Sequence, residues 1–266
     1  MEDRSLGQRC LKAIKRGIDI VAAAMALVLL APTFAIVALL IVIESPGPIF
    51  YRADRVGYRG RPLRMLKFRK MRADADGGAL TTDGDGRLTR VGKWLMRTRV
   101  DELPQFWHVL WGDMSLIGPR PEHLGFVARH ASAYQRILSV RPGLTGWSQL
   151  AFADERVALS GSNPLERYLE GILPQKVALD RLYASRCSLR RDLAILVVTL
   201  LVVLLGRPIG VDPQTGRLTL RRRPVLPAET PPPVWSEHAV RGEPSLRLVP
   251  PEAHRVTASP DAVPKA

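Results

Sequence analysis

The chain is poor in several things, and each shortage excludes a class of protein. It has two cysteines in 266 residues, Cys10 and Cys187. Two thiols so placed make no disulfide framework, and neither stands in a metal-binding spacing. Each lies beside an apolar run, so no disulfide is expected, and the polar part of the chain belongs in a reducing compartment. No segment repeats. Acidic residues are in deficit, 25 against 39 lysines and arginines, which leaves a formal charge of +14 and a pI near 10.6. That balance calls for an anionic partner: nucleic acid, anionic lipid or a phosphorylated substrate. No helix-turn-helix, RNA-recognition or zinc pattern is present, so no nucleic acid is expected.

What is abundant is apolar sequence in one block. Ile20 to Ile43 runs 24 residues without a charge, long enough to cross a bilayer core of roughly 30 Å as a helix. The run is too long for a cleaved signal peptide. Pro32 sits at its middle, where it removes a backbone hydrogen bond and kinks the helix. Basic residues flank it on both sides: Arg4, Arg9, Lys12, Lys15 and Arg16 before, and Arg52 through Arg72 after, with Asp54 alone to offset them. Lysine and arginine bias a flank to the cytoplasm. A helix-break-helix hairpin entering and leaving by one face satisfies both flanks, each half reaching about mid-bilayer. An ordinary kinked spanning helix is the alternative. A second apolar run, Leu193 to Leu205, is too short to span. It reads as a core helix or, given Arg190, Arg191 and Arg207 around it, one lying at the membrane interface.

Composition divides the chain into a basic flank (1–16), the membrane hairpin (17–44), a catalytic segment (45–206) with the interfacial helix near 193–205, and a tail (207–266). Twelve of the 22 prolines fall in that tail, which predicts disorder. On this reading, deletion after about Pro213 leaves activity largely intact. Within the middle segment, Ile49–Met71 reads as a strand pair about a Tyr58-Arg59-Gly60 turn, and Asp74–Gly86 as a glycine- and aspartate-rich loop. Helical spacing covers Thr89–Arg99, Leu103–Trp111, 123–140 and, interrupted near Pro174, Leu165–Ser185. Trp94, Trp107, Trp111 and Trp147 suit either interface anchors or core.

The chemistry concentrates between Thr98 and Glu122. Asp101 and Glu102 stand side by side, framed by Arg97 and Arg99, and Gly118-Pro-Arg-Pro-Glu122 forms a rigid turn. Two acids in a first helical turn also complement a helix dipole, which is the plain reading of the pair alone. Arginine binds phosphate through a planar fork that keeps its charge. Arg120, fixed between two prolines, is the first phosphate-binding candidate, followed by Lys67, Arg69 and Arg141. A salt bridge from Arg120 to Glu122 is the structural alternative. Arg55, Arg59 and Arg64 read as a solvated or headgroup-facing surface.

Eight blocks stand in one order: Lys15-Arg-Gly-Ile-Asp19, Pro46-Gly-Pro-Ile-Phe50, Arg55-Val-Gly57, Lys67-Phe-Arg69, Leu88-Thr-Arg-Val-Gly92, Asp101-Glu-Leu-Pro-Gln105, Gly112 to Pro121, and Arg141-Pro-Gly-Leu-Thr-Gly146. Through them the chain resembles the bacterial sugar transferases, the monotopic polyprenyl-phosphate phosphoglycosyl transferases, over about Lys15 to Leu205. The resemblance implies an α/β mixed, helix-rich fold with an N-terminal re-entrant hairpin, a cytoplasmic catalytic domain and a place at the bacterial inner membrane. It implies transfer of a sugar-1-phosphate from a UDP-sugar to polyprenyl (undecaprenyl) phosphate with release of UMP, as a first step of exopolysaccharide or capsule synthesis. In such enzymes Mg²⁺ serves, the residue matching Asp101 is the nucleophile of a covalent intermediate, and the one matching Glu102 supports metal and nucleophile. Anionic lipids are implied partners, and a homodimer through the membrane-proximal surface is left open. With about fifteen residues ahead of the hairpin, the short catalytic-core form is expected.

Departures are few. Ala31-Pro32 replaces the usual Ser-Pro, Lys70 stands where serine is common, and His108 where asparagine is usual; a lone histidine is given no role. The stretch after Gly146, through Glu155, differs from the frequent continuation, which bears on donor identity. A non-catalytic scaffold of a polysaccharide assembly complex is the rival reading, and intact Asp101, Glu102 and Arg120 weigh against it.

Overall fold

The computed structural model describes residues 2–75, 85–153, 164–205, 209–211, 216 and 218–220. Much of the glycine-rich loop, Asp154 and Glu155, and most of the proline-rich tail therefore lie outside the described residues.

Two helices open the chain, α1 (Glu2–Leu29) and α2 (Ala31–Glu44). Pro32 is the cause of the break. It has no N–H for the Val28 carbonyl, yet it is tolerated in the first turn of the new helix. Leu30 N still donates to Ala26 O and Phe34 N to Leu30 O, both at 2.9 Å, so the chain bends by 57° without unwinding. Among the described residues no single helix is long and apolar enough to cross a membrane; Leu11–Leu29 and Ala31–Glu44 are so only together. One face of the pair packs inward through Ala23, Val37 and Ile41, while Val28, Leu29, Leu39 and Ile43 stay exposed.

The chain leaves α2 through Ser45-Pro-Gly-Pro48. Gly47 has φ +133°, and a Cβ there would sit 2.6 Å from Arg69 Nη1, so only glycine lets this exit lie against the arginine. Strands β1 (Phe50–Val56) and β2 (Pro62–Phe68) then pair antiparallel, Phe50 opposite Phe68, about the Tyr58–Gly60 turn. Leu63 and Met65 are buried while Pro62 and Arg64 face out, the alternation expected of a one-sided ribbon. Helix α3 (Arg90–Thr98) is capped by Thr89, whose hydroxyl accepts from Gly92 N at 2.8 Å.

The expected Leu103–Trp111 helix is two pieces, a 3₁₀ turn (Val100–Gln105) holding Pro104 and then α4 (Phe106–Trp111). Likewise 123–140 divides into α5 (Leu124–Arg129) and α6 (Ala131–Ile137) at His130. A buried parallel pair, β3 (Ser115–Ile117) and β4 (Gly143–Thr145), has no counterpart in the sequence reading, because three residues carry no period. Its approach is close enough that a Cβ on Gly143 would lie 2.1 Å from Gly118 N. After α7 (Trp147–Ala151) and α8 (Pro164–Arg167), a π turn (Tyr168–Ile172) leads into α9 (Leu173–Arg186). The interruption expected near Pro174 is this turn. Helix α10 (Leu189–Leu205) follows, burying Ile195 and exposing Leu193 and Val203.

The main core gathers Ala53, Met65, Val109, Met114, Trp147 and Leu179 between the ribbon, β3–β4 and α9. A smaller cluster of Val37, Ile41, Phe68 and Leu95 docks α2 onto β2 and α3. Polar contacts tie α1 down as well. Lys15 Nζ lies 2.5 Å from Asp192 Oδ2, and Asp19 Oδ1 accepts from Leu116 N at 3.0 Å. The tryptophans separate: Trp147 is core, whereas Trp94, Trp107 and Trp111 are exposed.

Part of the start of the tail is ordered. Strands β5 (Ile209–Val211) and β6 (Leu218–Leu220) pair antiparallel, Val211 packs against the main core, and a Cβ added at Gly216, φ +69°, would meet the Trp147 ring at 2.6 Å. Proline content could not reveal this, because what anchors the hairpin is a tryptophan some seventy residues earlier. A chain ending at Pro213 should therefore be less stable than one ending at Arg222, by on the order of 2 kcal/mol for the uncovered tryptophan, and melt at a lower temperature. Equal melting temperatures would remove the hairpin's structural role.

Candidate active site

The 3₁₀ turn presents the two acids differently. Arg99, at φ +58°, reverses the chain after α3, a costly conformation for a residue with a Cβ. From it Asp101 turns inward to 4% exposure and Glu102 faces a cluster of cations. Arg120 Nη2 donates to Glu102 Oε1 at 2.5 Å and Nη1 to Oε2 at 3.3 Å; Lys67 Nζ reaches Oε1 at 2.9 Å. Burial would raise the Glu102 pKa, but these two cations outweigh it and hold the carboxyl well below its usual range.

Asp101 moves the other way. Burial first, then the charge of Glu102, lifts its pKa above the usual carboxylate value despite Lys67, Lys70 and Arg120. Lys70 Nζ is its nearest cation, 3.9 Å from Oδ2, too far for a hydrogen bond. Among the described residues no hydrogen bond reaches the Asp101 carboxylate. Lys70 is itself shifted down, by burial ahead of any other cause. Two adjacent carboxylates whose environments push them apart can take separate roles. Glu102 is fixed and ionised, and Asp101 is held ready without a strong partner.

Both acids line a cavity of about 740 Å³, with Lys67, Arg69, Lys70 and Arg120 among its walls. Sequence candidates therefore converge here, with one exception. Arg141 is not in the lining: its Nε donates to Gly112 O at 2.8 Å and its guanidinium lies 5.5 Å from the Tyr58 ring centroid. Arg69 borders the cavity, but its terminal nitrogens hold the Ser45 and Pro46 carbonyls, fixing the exit from α2 to β2. Pro32 is at the bend between α1 and α2 and takes no part. Arg55, read as surface, also borders the cavity. Arg120 donates two hydrogen bonds to Glu102, and its charge also lowers the pKa of Glu122, the partner the sequence offered as the alternative.

A Mg²⁺ ion keeps several waters and needs one or two carboxylates beside substrate phosphates. Asp101 fits that demand, being a buried carboxylate with no hydrogen bond among the described residues and its nearest cation, Lys70, at 3.9 Å. Glu102 has both oxygens engaged by Arg120 and Lys67. Among the described residues no group of three or more His, Cys, Asp or Glu side chains could hold a metal, so any ion here would rely on one carboxylate and the substrate.

A buried polar network also borders the cavity. Glu122 Oε1 is 3.1 Å from both Lys176 Nζ and the Tyr168 hydroxyl, and the lysine overcomes burial to keep the Glu122 pKa low. Asp180, on the same face of α9, is buried, and its Oδ1 has no hydrogen-bond partner. Burial pushes its pKa up to about 7. The sequence did carry a signal for these residues: Lys176 and Asp180 stand at helical spacing within the stripe Leu173, Val177 and Tyr183. His108 also gains a role. Its Nε2 accepts from Leu66 N at 3.1 Å, so Nδ1 carries the proton toward Asp113 at 3.3 Å, pinning β2 and with it Lys67.

A family model described as bacterial sugar transferase matches residues 10–206. The chain belongs to the bacterial sugar transferase family. Among its relatives, the UDP-glucose:undecaprenyl-phosphate glucose-1-phosphate transferase of Caulobacter vibrioides is 40% identical over 190 residues, 70% of this chain and 67% of that one. The UDP-N-acetylgalactosamine-undecaprenyl-phosphate N-acetylgalactosaminephosphotransferase of Aeromonas hydrophila is 49% identical over 142 residues, 52% of this chain but only 34% of that one. The exopolysaccharide production protein PSS of Rhizobium leguminosarum bv. phaseoli is 36% identical over 195 residues, covering 92% of its length. This sugar transferase thus spans about a third of one relative and nearly all of another. The matched region takes in every cavity residue named above.

Ionisation at Asp180 gives a pH signature. Its folded pKa of about 7 exceeds the ordinary 3.8, so the native state binds this proton more tightly than the unfolded chain. The resulting stabilisation is complete below about pH 4 and is lost as pH rises toward 7. Asp180→Asn should remove that loss, gaining on wild type by on the order of 4 kcal/mol between pH 4 and 8. Parallel melting curves across that range would contradict it.

Proposed function

We propose that this sugar transferase moves a sugar-1-phosphate from a UDP-sugar to polyprenyl phosphate at a membrane surface. The observation that carries the reading is Asp101: buried, with Lys70 at 3.9 Å and no hydrogen bond among the described residues, and next to a Glu102 clamped by Lys67 and Arg120. An Asp101 oxygen attacks the sugar-bearing phosphorus of the diphosphate. The bond from that phosphorus to the bridging oxygen breaks, and UMP leaves with the electron pair. A phosphate oxygen of the polyprenyl acceptor then attacks the same phosphorus, and Asp101 is released. Splitting the transfer lets a soluble donor and a lipid acceptor use one site in turn.

Arg120 and Lys67 supply fixed positive charge where the diphosphate must sit, and Glu102 keeps both aimed. Mg²⁺, held by Asp101 and the substrate phosphates, would mask the diphosphate's charge. The relatives named for undecaprenyl-phosphate acceptors support the choice of lipid. The exposed apolar sides of α1, α2 and α10, with Trp107 and Trp111 also exposed, support insertion of the bent pair as a re-entrant hairpin, with the basic flanks against anionic headgroups on the cytoplasmic side.

The test is UMP release from UDP-glucose, UDP-N-acetylgalactosamine and further UDP-sugars by full-length protein in nanodiscs, with polyprenyl phosphate and Mg²⁺. Release with one donor, abolished by chelator, is the expected result. Folded protein that releases no UMP from any donor would sink the reading.

A further inference from the structure

The cations around the cavity differ in how far they are already engaged. Glu102 takes hydrogen bonds from Lys67 and Arg120, and Asp85 holds Arg87 at 2.9 and 2.7 Å. Arg69 is spent on the carbonyls of Ser45 and Pro46. Lys70, the next residue, stands apart. It lines the same cavity, its side chain is 24% exposed, and its Nζ lies 3.9 Å from Asp101 Oδ2. An ammonium carries three donors, yet among the described residues no hydrogen bond joins this one to an acceptor.

The lysine is held in place by its backbone. Thr89 N donates to Lys70 O at 3.1 Å, and Gly92 comes so close that a Cβ on it would sit 1.8 Å from the same oxygen. The start of α3 thus fixes the main chain and leaves the side chain to the cavity. A largely buried ammonium without an acceptor costs folding free energy, a cost explained if a ligand supplies the acceptor. The neighbouring carboxylate says which ligand. A phosphorus about 3–3.5 Å from the attacking oxygen can bring a non-bridging oxygen within hydrogen-bond reach of an ammonium 3.9 Å from that carboxylate. We propose that Lys70 is a phosphate-binding residue, donating to a non-bridging oxygen of the phosphoryl group that Asp101 attacks. No proton is transferred, and that oxygen stays on the same phosphorus through both steps, so one contact serves donor and acceptor in turn. The kinetic part of this inference rests on the transferase reading, and the binding measurement below does not.

Two variants test it. Lys70→Met keeps the apolar stem and removes the charge. Arg72→Met is the control: that guanidinium also borders the cavity but is 62% exposed, so it reports the general field at the mouth. Full-length proteins in phosphatidylcholine nanodiscs would be compared in UMP release and in calorimetric binding of inorganic pyrophosphate, a diphosphate with neither nucleoside nor sugar. Lys70→Met should lose about tenfold or more both in kcat/KM for the donor and in pyrophosphate affinity, the contribution of a charge-assisted hydrogen bond. Arg72→Met should stay within about threefold of wild type in both, as an exposed charge does.

A merely structural residue would lower the melting temperature and leave pyrophosphate binding by the folded variant unchanged. If the methionine variant does not fold, Lys70→Ala supplies the comparison. Pyrophosphate affinity or kcat/KM within threefold of wild type in the folded variant overturns the proposal. An equal loss in Arg72→Met overturns it too, as does wild type that binds no pyrophosphate. Should wild type bind pyrophosphate but release no UMP from any donor, the transferase reading fails. Binding alone then decides: a loss confined to the Lys70 variant supports a diphosphate contact there, and unaltered affinity overturns it.

Discussion

Asp101→Asn should abolish UMP release, by about 10³-fold or more, while the protein stays folded. The substitution keeps shape and removes the nucleophile, since an amide oxygen does not form a stable bond to phosphorus. Folding should survive because the wild-type carboxylate is buried with no hydrogen bond among the described residues, so no strong contact is lost. Incubating wild type with the productive donor, without acceptor, should leave protein heavier by one sugar phosphate, and the variant should show no such adduct. Turnover in the variant within tenfold of wild type would exclude Asp101 as the nucleophile. Turnover lost without an adduct in wild type would keep the transfer but exclude the covalent step.

Lys176→Met should produce the largest loss of stability, about 3–5 kcal/mol. Lys176 and Glu122 are both nearly inaccessible and 3.1 Å apart. Removing the lysine leaves an ionised carboxylate in the interior, whose solvation in water was far better than what the Tyr168 hydroxyl can supply. The sign of the pH dependence follows. In wild type the depressed Glu122 pKa contributes stability that is present above the ordinary 4.5 and is lost as pH falls through the folded value. Without Lys176, burial dominates and lifts that pKa, so the variant's deficit should shrink as acid neutralises Glu122. Adding Glu122→Gln should recover much of the loss at neutral pH, which a double-mutant cycle would measure. A single-variant loss below 1 kcal/mol would mean that water reaches the pair.

Much of the architecture of the N-terminal helix pair and the ribbon after it was legible because its determinants are local. An uncharged run of 24 residues broken by Pro32, with cations on both sides, specifies two helices and a bend. Alternation from Leu63 to Met65 and the Tyr58–Gly60 turn specify the ribbon, and Thr89 specifies where α3 begins. The helix breaks at Pro104 and His130 were less visible: the first follows from a 3₁₀ turn that only the packing of Asp101 and Gln105 into the interior demands. The β3–β4 pair is set by two glycines whose backbones touch across twenty-five residues of chain, a condition no local pattern expresses.

The candidate site shows the same division. Adjacent acids, a proline-fixed arginine and Lys67 were all identified from the residues and the family resemblance, because residue type limits which groups can handle a diphosphate. The sequence by itself determined the charge of the chain, the bend at Pro32, the ribbon, and the chemical kinds of group available. Tertiary structure alone decided which carboxylate is clamped and which is left ready, that Arg120 faces Glu102 while Glu122 faces Lys176, and that Arg141 stands apart. It also decided that the hairpin Ile209–Leu220 covers Trp147. The physical reason is that burial and ion pairing depend on distances between groups far apart in the chain. A carboxylate's pKa and partner are properties of the space it occupies, and that space is made by packing.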